Sequence, residues 1–345
     1  MQDYPGGTVI EPDNPSLRYI GHWDKTRLAE EAITVNSGSR ILASFTGHTL
    51  RGLFSTEGIT HPAQIYVSVD GARPLLFTLD SPVGNFTPQR LKGNKHTLQL
   101  AVKDVDERAD RWVPPLASAA VFKGLLLDRG ARMLPPKSPA GSLRMEFYGD
   151  SITQGVRVLS MQIGTQGSDG TKDYAFLTGM AFDGLFNQVG FGRQGVIRTG
   201  NGEVPPAPHS FGWNFQGSRA DASFIPQVVV INQGTNDHPY SSSEFEPAYQ
   251  SYIQEIRTAY PRAFLLCMRP FGGFHEADIR AAVLSLRDPR ILYVDTTGWL
   301  DKSDFTDGVH PNAGGHIKAA RKLIAFVQAH TRLKPARKLE QPWWK

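Results

Sequence analysis

The sequence has one cysteine, no long apolar run and no concentrated charge of one sign. A lone Cys267 excludes an intrachain disulfide, and its apolar neighbours in "AFLLCMRPF" predict a buried thiol. No stretch of about 18 apolar residues occurs, which argues against a membrane-spanning helix. The formal net charge is only +4 and most basic residues are scattered, so nothing favours nucleic acid as a partner.

The composition is that of a folded globular protein, with 40% hydrophobic and 20% charged residues. A chain of 345 residues is long enough for two domains. The pattern of apolar and polar residues changes between residues 133 and 143, which indicates the boundary between the two domains.

The first part of the chain, up to residue 133, has the alternation expected of β-strands. The segment "QIYVSVDG" places Ile65, Val67 and Val69 on one face and ends in an Asp-Gly turn. Three further segments share this rhythm: "RILASFTGHTLRGLF", "HTLQLAVKD" and "AAVFKGLLLDRG". Short strands separated by Gly, Pro and Asp turns predict an all-β sandwich of jelly-roll type over residues 1–133.

A stretch rich in Pro, Gly and Ser, "MLPPKSPAGS", predicts a linker over residues 134–142. From residue 143, short apolar runs end in Gly, Asp, Asn or Pro: "RMEFYGD", "QVVVINQGTND", "AFLLCMRPF" and "RILYVDTTG". Segments 241–260 and 312–330 have the apolar period of helices. Strands alternating with helices predict an α/β domain with a parallel sheet over residues 143–333, and residues 334–345 form a tail that either docks or frays.

Residues suited to acyl transfer follow three of these four strands. Ser151 lies in "FYGDS", Asn236 in "QGTND", and Asp307 and His310 in "DGVHPN". Parallel strands end at one edge of the sheet, so we expect these residues to meet there. A serine needs a base, the base needs a group that fixes its tautomer, and the oxyanion needs hydrogen-bond donors. The pattern predicts a Ser151–His310–Asp307 triad, with the Ser151 N–H, a glycine N–H and the Asn236 amide around the oxyanion.

Each of these residues also has a structural interpretation. Ser151 could cap the helix that follows it, and Asn236 could serve only its turn. His310, His316 and Asp307 could be metal ligands, but the loose spacing and the lack of other His or Cys nearby favour no metal. We therefore expect neither a metal nor an organic cofactor.

Three other residues are candidate substrate contacts. Trp213 and Trp299 lie in loops, where a flat ring could stack on a sugar or simply pack against the core. Arg193 lies beside the glycine-rich segment "NQVGFGRQG" and could line the site.

The blocks "GDSITQG", "GTND" and "DGVHPN" resemble, in this order, blocks I, III and V of the SGNH (GDSL-type) hydrolases. The segment "NQVGFGRQG" is similar to block II, which implies an oxyanion glycine at Gly192, with Gly195 as the alternative. The first part, with "LRYIGHWD" and "IYVSVDG", is similar to the jelly-roll domain of carbohydrate esterase family 2. Enzymes of that family join such a domain to an SGNH domain and remove O-acetyl groups from xylan and related polysaccharides.

This resemblance implies a serine esterase whose partner is an acetylated polysaccharide or oligosaccharide. One alternative is an SGNH lipase, lysophospholipase or thioesterase that prefers longer acyl chains. Another is a carbohydrate-binding protein whose hydrolase domain is only a scaffold. The first residues lack the features of a signal peptide, so the sequence alone leaves open either a cytoplasmic protein or one whose leader has been removed. The resemblance favours a secreted or periplasmic protein whose leader is absent. The sequence leaves the oligomeric state open.

Overall fold

The computed structural model describes residues 6–135, 143–339 and 341–344. In these residues the chain forms an antiparallel β-sandwich followed by an α/β part with a parallel sheet. The predicted linker lies mostly outside the described residues, which do not include 136–142. Its first residue, Leu134, belongs to the last short strand of the sandwich.

Eleven strands form the sandwich in the described part of the chain: β1 (Gly7–Ile10), β2 (Arg18–Ile20), β3 (Ala32–Thr34), β4 (Arg40–Thr46), β5 (Leu50–Phe54), β6 (Gln64–Val69), β7 (Leu75–Thr78), β8 (Val83–Asn85), β9 (Lys95–Asp104), β10 (Ala120–Asp128) and β11 (Met133–Leu134). One sheet has the order β1-β10-β5-β8, with β3 also paired to β10. The other has the order β11-β4-β9-β6-β7, with β2 also paired to β4. All these pairs are antiparallel.

The sandwich core follows from the alternation of apolar residues along these strands. Ile65 and Val67 of β6, which the sequence placed on one face, are buried together with Leu98 and Leu100 of β9. A side chain buried to this degree contributes about 1.5–3 kcal/mol through removal of its apolar surface from water. The segments predicted as strands in this part are strands.

The second part contains these elements: β12 (Arg144–Gly149), α1 (Ser151–Gln154), α2 (Tyr174–Ala181), β13 (Leu185–Gly190), α3 (Ala207–Ser210), β14 (Trp213–Phe215), β15 (Ser218–Arg219), β16 (Val228–Asn232), α4 (Ser242–Ala259), β17 (Phe264–Met268), α5 (Glu276–Ser285), β18 (Ile291–Val294) and α6 (Ala313–Thr331). Two 3₁₀ turns lie at Gly164–Gln166 and Lys302–Asp304. The strands β14 and β15 form a small hairpin of their own.

The parallel sheet has the order β13-β12-β16-β17-β18. In its register Gly149, the last residue of β12, lies level with Gly190 of β13 and Asn232 of β16. Three strands therefore end together at one edge. Cys267, in β17, is fully buried, as its apolar context predicts.

Helices cover both faces of this sheet, as the continuous apolar strands predict. Helix α4 buries Phe245, Tyr249, Tyr252, Ile253 and Ile256 in one core, which also contains residues of α5. Helices α2 and α6 pack in a second core on the opposite face. In the described residues no helix is both long and apolar enough to span a lipid bilayer.

The two parts contact each other around α1. Ser37 Oγ donates to the Gln154 carbonyl at 2.6 Å, and the Gly170 N–H donates to the Lys103 carbonyl at 2.7 Å. The sandwich therefore holds the segment that carries Ser151.

The C-terminal tail docks rather than frays over its described residues, since Trp343 is buried with its ring 6.2 Å from that of Phe176.

Candidate active site

A sharp turn at the end of β12 presents Ser151. Gly149 has no room for a side chain, because a Cβ there would overlap Thr153 and approach the Asn232 carbonyl oxygen at 3.0 Å. Asp150 is the N-cap of α1, since its Oδ1 accepts the Ile152 N–H at 2.8 Å. The capping role considered for Ser151 therefore belongs to Asp150, and Ser151 is the first residue of the helix.

Helix α1 has only one turn and ends at Gly155, whose φ of 85° lies in the left-handed region. A Cβ at this position would lie 2.7 Å from the Asp169 carbonyl oxygen. Glycine is therefore required both by its backbone angle and by the close approach of the neighbouring chain. This tight packing fixes the turn that carries Ser151, which is 7% exposed.

The structure brings Ser151 together with His310 and Asp307, which lie 159 and 156 residues further along the sequence. Ser151 Oγ lies 2.8 Å from His310 Nε2, and His310 Nδ1 lies 2.8 Å from Asp307 Oδ2. An ionised carboxylate only accepts hydrogen bonds, so Nδ1 carries the proton in this arrangement. The Nε2 atom is then an acceptor for the Ser151 hydroxyl.

The Asp307 carboxylate is held on both of its oxygens. Its Oδ1 accepts the N–H groups of Val309 at 3.0 Å and His310 at 2.8 Å. Its Oδ2 accepts Arg157 Nη1 at 2.5 Å besides the imidazole. Burial raises the pKa of Asp307, but the hydrogen bonds and charge of His310, with the Arg157 guanidinium, outweigh it and lower this pKa. Asp307 is therefore ionised at neutral pH.

The two backbone N–H groups assigned to the oxyanion from the sequence have no hydrogen-bond acceptor in the described residues. Neither the Ser151 N–H nor the Gly192 N–H donates a hydrogen bond within the described parts of the chain. The Gly195 N–H is already used, because it donates to the Arg198 carbonyl at 3.0 Å. This pairing favours Gly192 over Gly195 as the glycine of the predicted block II.

Asn236 lies in the turn after β16 and faces the same region. Its Nδ2 donates to Asp150 Oδ2 at 3.2 Å and to the Gln194 carbonyl at 3.0 Å. Burial raises the pKa of Asp150 to about 6, against the opposing hydrogen bond from Ile152 N–H. The Asn236 amide is thus held between β12 and the block II segment, and one of these hydrogen bonds must be released before it can donate to an oxyanion.

Asp237, the next residue, anchors the block II segment. Its carboxylate accepts the N–H groups of Val196, Ile197 and Arg198 at 2.8, 2.9 and 3.2 Å. This contact ties the loop that contains Gly192 to the turn that contains Asn236.

His316, the other histidine considered as a metal ligand, is a buried residue of α6. Its Nδ1 accepts the Tyr174 N–H at 3.0 Å, and its ring is stacked on that of Tyr174. Burial, with a smaller effect of His310, lowers the pKa of His316 to about 3, so this ring is neutral. The described residues contain no group of three His, Cys, Asp or Glu side chains that could hold a metal ion.

The candidate substrate contacts are not joined to the Ser151–His310 pair by any hydrogen bond or ring contact of the described residues. Trp213 is partly buried and has the Arg219 guanidinium over its ring at 3.5 Å. Trp299 is partly buried against the core that contains α2 and α6. Arg193 is exposed, with a left-handed φ of 59°, next to Gly192. Their roles toward substrate stay predictions.

Sequence reasoning missed two charged residues at the site. Arg157 binds Asp307, and its carbonyl accepts Thr306 Oγ1 at 2.7 Å. Glu107, from the sandwich, lies against Gly192. No sequence signal marks either residue, because the contacts join segments far apart in the chain.

The fold and the site together define an α/β hydrolase of the SGNH class behind a β-sandwich. Residues 147–317 match the model of the GDSL-like Lipase/Acylhydrolase family. This match over the second part of the chain confirms the resemblance to the SGNH (GDSL-type) hydrolases predicted from the sequence.

Two curated relatives cover a large share of this chain. Cellulase/esterase CelE of Acetivibrio thermocellus is 29% identical over 239 residues, which are 63% of this chain and 29% of the relative. Acetylxylan esterase / glucomannan deacetylase of Cellvibrio japonicus is 25% identical over 243 residues, 64% of each chain. The chain thus spans less than two thirds of the length of either relative.

A solved structure is similar over both parts of the chain. A family two carbohydrate esterase from Clostridium thermocellum, in complex with cellohexaose, has a TM-score of 0.75 and 22% identity. The match covers 91% of this chain and 98% of that one. The predicted fold class, a jelly-roll sandwich followed by an SGNH hydrolase domain, is therefore confirmed.

Proposed function

We propose that this protein is a serine esterase that removes O-acetyl groups from polysaccharides. The observation that carries the proposal is the chain of two 2.8 Å contacts from Ser151 through His310 to Asp307. A hydroxyl paired with the unprotonated nitrogen of an imidazole, which is itself oriented by a carboxylate, is the arrangement that activates a serine nucleophile.

In the acylation step, Ser151 Oγ attacks the ester carbonyl carbon while His310 Nε2 takes the hydroxyl proton. The C–O bond to the sugar breaks, and His310 returns the proton to the leaving sugar oxygen. In the second step a water molecule gives its proton to His310 and attacks the acyl group on Ser151. Acetate then leaves, and the hydroxyl of Ser151 regains its proton.

The oxyanion forms beside the free N–H groups of Ser151 and Gly192. Neither donor has to give up an existing hydrogen bond, since neither is used within the described residues. Asn236 supplies a third donor once its amide exchanges the Asp150 or Gln194 acceptor for the oxyanion. Donors aimed at developing charge lower the barrier because they are oriented before the reaction begins.

The substrate class rests on the relatives. One is named an acetylxylan esterase / glucomannan deacetylase, and a structural neighbour is a family two carbohydrate esterase with bound cellohexaose. An acetylated polysaccharide or oligosaccharide is therefore the substrate that we assign to this site.

A second candidate is hydrolysis of esters with longer acyl chains. The loop after Arg157 exposes Leu159, Met161 and Ile163 by 41%, 57% and 61%. This loop contacts the segment that leads into α6, because the Val158 carbonyl accepts the Ala313 N–H at 3.2 Å. Exposed aliphatic side chains next to the site could bind an acyl tail.

The test is acetate release from acetylated xylan, glucomannan and pectin, compared with cleavage of octanoyl esters. We expect acetate release from at least one polysaccharide, and its loss in Ser151→Ala. Ser251→Ala, an exposed serine of α4, is the matched control and should match the wild type. Faster cleavage of octanoyl esters would favour the second candidate, and turnover by Ser151→Ala would reject the mechanism.

A further inference from the structure

Glu107 is a carboxylate of the sandwich that lies at the proposed oxyanion hole. It belongs to the loop between β9 and β10, outside the hydrolase domain. The position that a Cβ of Gly192 would occupy overlaps Glu107 Oε2, so only glycine leaves room for this carboxylate. The first part of the chain thus forms one wall of the site.

The backbone on either side of Glu107 is held in place. The Asp106 N–H donates to Ser118 Oγ at 3.0 Å, and the Asp106 carboxylate accepts Arg108 Nη2 at 2.7 Å. The Ala109 N–H donates back to the Asp106 carbonyl at 3.2 Å. Glu107 therefore sits on a turn whose geometry does not depend on its own side chain.

The turn that carries Glu107 contacts two loops of the hydrolase domain. On one side, a Cβ at Gly164 would approach Asp106 Oδ2 at 2.9 Å. On the other side, the Arg111 N–H donates to the Gly202 carbonyl at 3.3 Å. Contacts on both sides fix the position of Glu107 relative to the hydrolase domain.

In the described residues the Glu107 carboxylate interacts with its neighbours through its charge alone, which favours the charged forms of Arg108 and Arg111. It is partly exposed, and the described residues offer it neither a hydrogen bond nor an ion pair. The neighbouring cations are turned elsewhere: Arg108 binds Asp106, and buried Arg111 binds the Val35 carbonyl and Gln154. The oxygens of Glu107 are thus free to accept hydrogen bonds from a ligand.

A negative charge at this place works against the proposed reaction. The tetrahedral intermediate carries an oxyanion beside Gly192, and two like charges close together repel each other. The charge of Glu107 also favours the charged form of the buried Arg111 guanidinium. No hydrogen bond joins the two groups, so the Glu107 carboxylate can still bind a ligand. Because it accepts hydrogen bonds only, its partner must be a donor, and a neutral donor suits a site whose substrate is a sugar ester.

We propose that Glu107 binds a free hydroxyl of the sugar that carries the acetyl group. This inference rests on the proposed function and assigns a substrate-binding role to the first domain. The carboxylate accepts the hydrogen bond in the bound substrate and keeps it in the transition state, so it acts mainly on KM. It selects esters of polyhydroxylated alcohols over esters of simple alcohols and phenols.

The test compares the wild type with Glu107→Gln and Glu107→Ala on two acetyl esters. One ester is a methyl xyloside with a single acetyl group, and the other is para-nitrophenyl acetate, whose leaving group has no hydroxyl. Gln keeps the packing against Gly192, so the Gln variant remains informative if the Ala variant is unstable. Glu57→Gln, an exposed carboxylate of the first domain, is the matched control.

We expect the KM for the sugar ester to rise about 10- to 100-fold in Glu107→Ala and less in Glu107→Gln, with no fall in kcat. The kcat/KM for para-nitrophenyl acetate should rise, because a charge that repels the oxyanion has been removed. The Glu57→Gln control should match the wild type on both esters. A deoxy xyloside that lacks the bound hydroxyl should respond as para-nitrophenyl acetate does, with no rise in KM in either Glu107 variant.

Two results would overturn this inference. One is a parallel loss on both esters, which would mean that Glu107 only supports the structure of the site. The other is an unchanged KM for the sugar ester in both variants. The proposed function fails separately, if the wild-type protein releases no acetate from any sugar ester.

Discussion

Replacing Asp307 by Asn tests whether the carboxylate determines the tautomer of His310. Asp307 accepts hydrogen bonds on both oxygens: Oδ1 from the Val309 and His310 N–H groups, and Oδ2 from His310 Nδ1 and Arg157. An amide has one oxygen and one NH₂ group. In either orientation of the substituted Asn, its NH₂ group faces donors whose hydrogen bonds the Asp307 carboxylate had accepted.

The two orientations have different costs. With the NH₂ group toward His310, the Nδ1 atom must accept a hydrogen bond, so Nε2 carries the proton. The imidazole then cannot take the proton of Ser151. This wrong tautomer lowers kcat by about 10⁴ in a serine hydrolase. With the oxygen toward His310 the tautomer is kept, but two backbone N–H groups lose their acceptor, at about 1–3 kcal/mol each. The first orientation is the cheaper one, because it leaves only the partly exposed Arg157 without its acceptor, whereas the second leaves two backbone N–H groups unpaired. The wrong tautomer therefore dominates, and we expect kcat/KM to fall by about 10²–10⁴.

The assay is hydrolysis of para-nitrophenyl acetate by Asp307→Asn, Asp307→Ala and His310→Ala. The Ala variant at position 307 introduces no opposing donor, so we expect it to lose less activity than the Asn variant, and less than His310→Ala. Asp295→Asn, an exposed aspartate of the same domain, serves as the control. An Asn variant within tenfold of the wild type would refute the reasoning from the four hydrogen bonds.

Three further predictions concern the residues that support this site. Asn236→Ala should lower kcat by about 10²–10³, the usual loss of one oxyanion donor, and an unchanged kcat would remove it from that role. Gly155→Ala should destabilise the fold by about 2–4 kcal/mol in urea unfolding, because of its φ of 85° and the 2.7 Å approach of Asp169. Gly130→Ala, which has a φ of 78° in open space, should cost only about 1–2 kcal/mol, and equal losses would contradict the packing argument. Burial lowers the pKa of His316 to about 3. Between pH 3 and about 6.5 the unfolded chain therefore binds more protons at this residue than the folded chain does. The free energy of unfolding consequently falls as the pH falls through this range. The stability deficit of His316→Asn in urea should therefore shrink by roughly 2 kcal/mol from pH 8 to pH 5, and a constant deficit would contradict the burial of a neutral ring.

The helices and strands predicted from the sequence are those in which apolar residues recur at the spacing of a helix or a strand. Helix α4 shows its buried face in the spacing of Phe245, Tyr249 and Ile256, and β6 shows its face in the alternation of Ile65 and Val67. In both cases a face that the fold buries is already apolar in the sequence.

Strand β13 and helix α2 were not predicted, because their residues do not follow such a period. β13 buries the polar residues Asn187 and Gln188, and Gln188 Nε2 donates to the Thr153 carbonyl at 2.9 Å. Helix α2 is buried on nearly all sides, so it has no polar face to reveal a helical repeat. Tertiary contacts, rather than local pattern, define these two elements.

The same distinction holds at the site. Ser151, Asn236, Asp307 and His310 could be proposed from the sequence, since each follows a strand or precedes a helix that the sequence reveals. Gly192 follows the unpredicted strand β13 and was proposed only from the family resemblance. Arg157 and Glu107 could not, because their positions depend on how one loop of the sandwich and one loop of the hydrolase domain pack. The electrostatics of the site therefore required the structure.

The central claim, that His310 activates Ser151 as a nucleophile, is tested most directly by a fluorophosphonate probe. The probe reacts with activated serines, and mass spectrometry locates the label. We predict one label, on Ser151, that is absent from Ser151→Ala and strongly reduced in His310→Ala. A wild-type protein that hydrolyses esters but carries no label on Ser151, or that labels equally well without His310, would contradict the account.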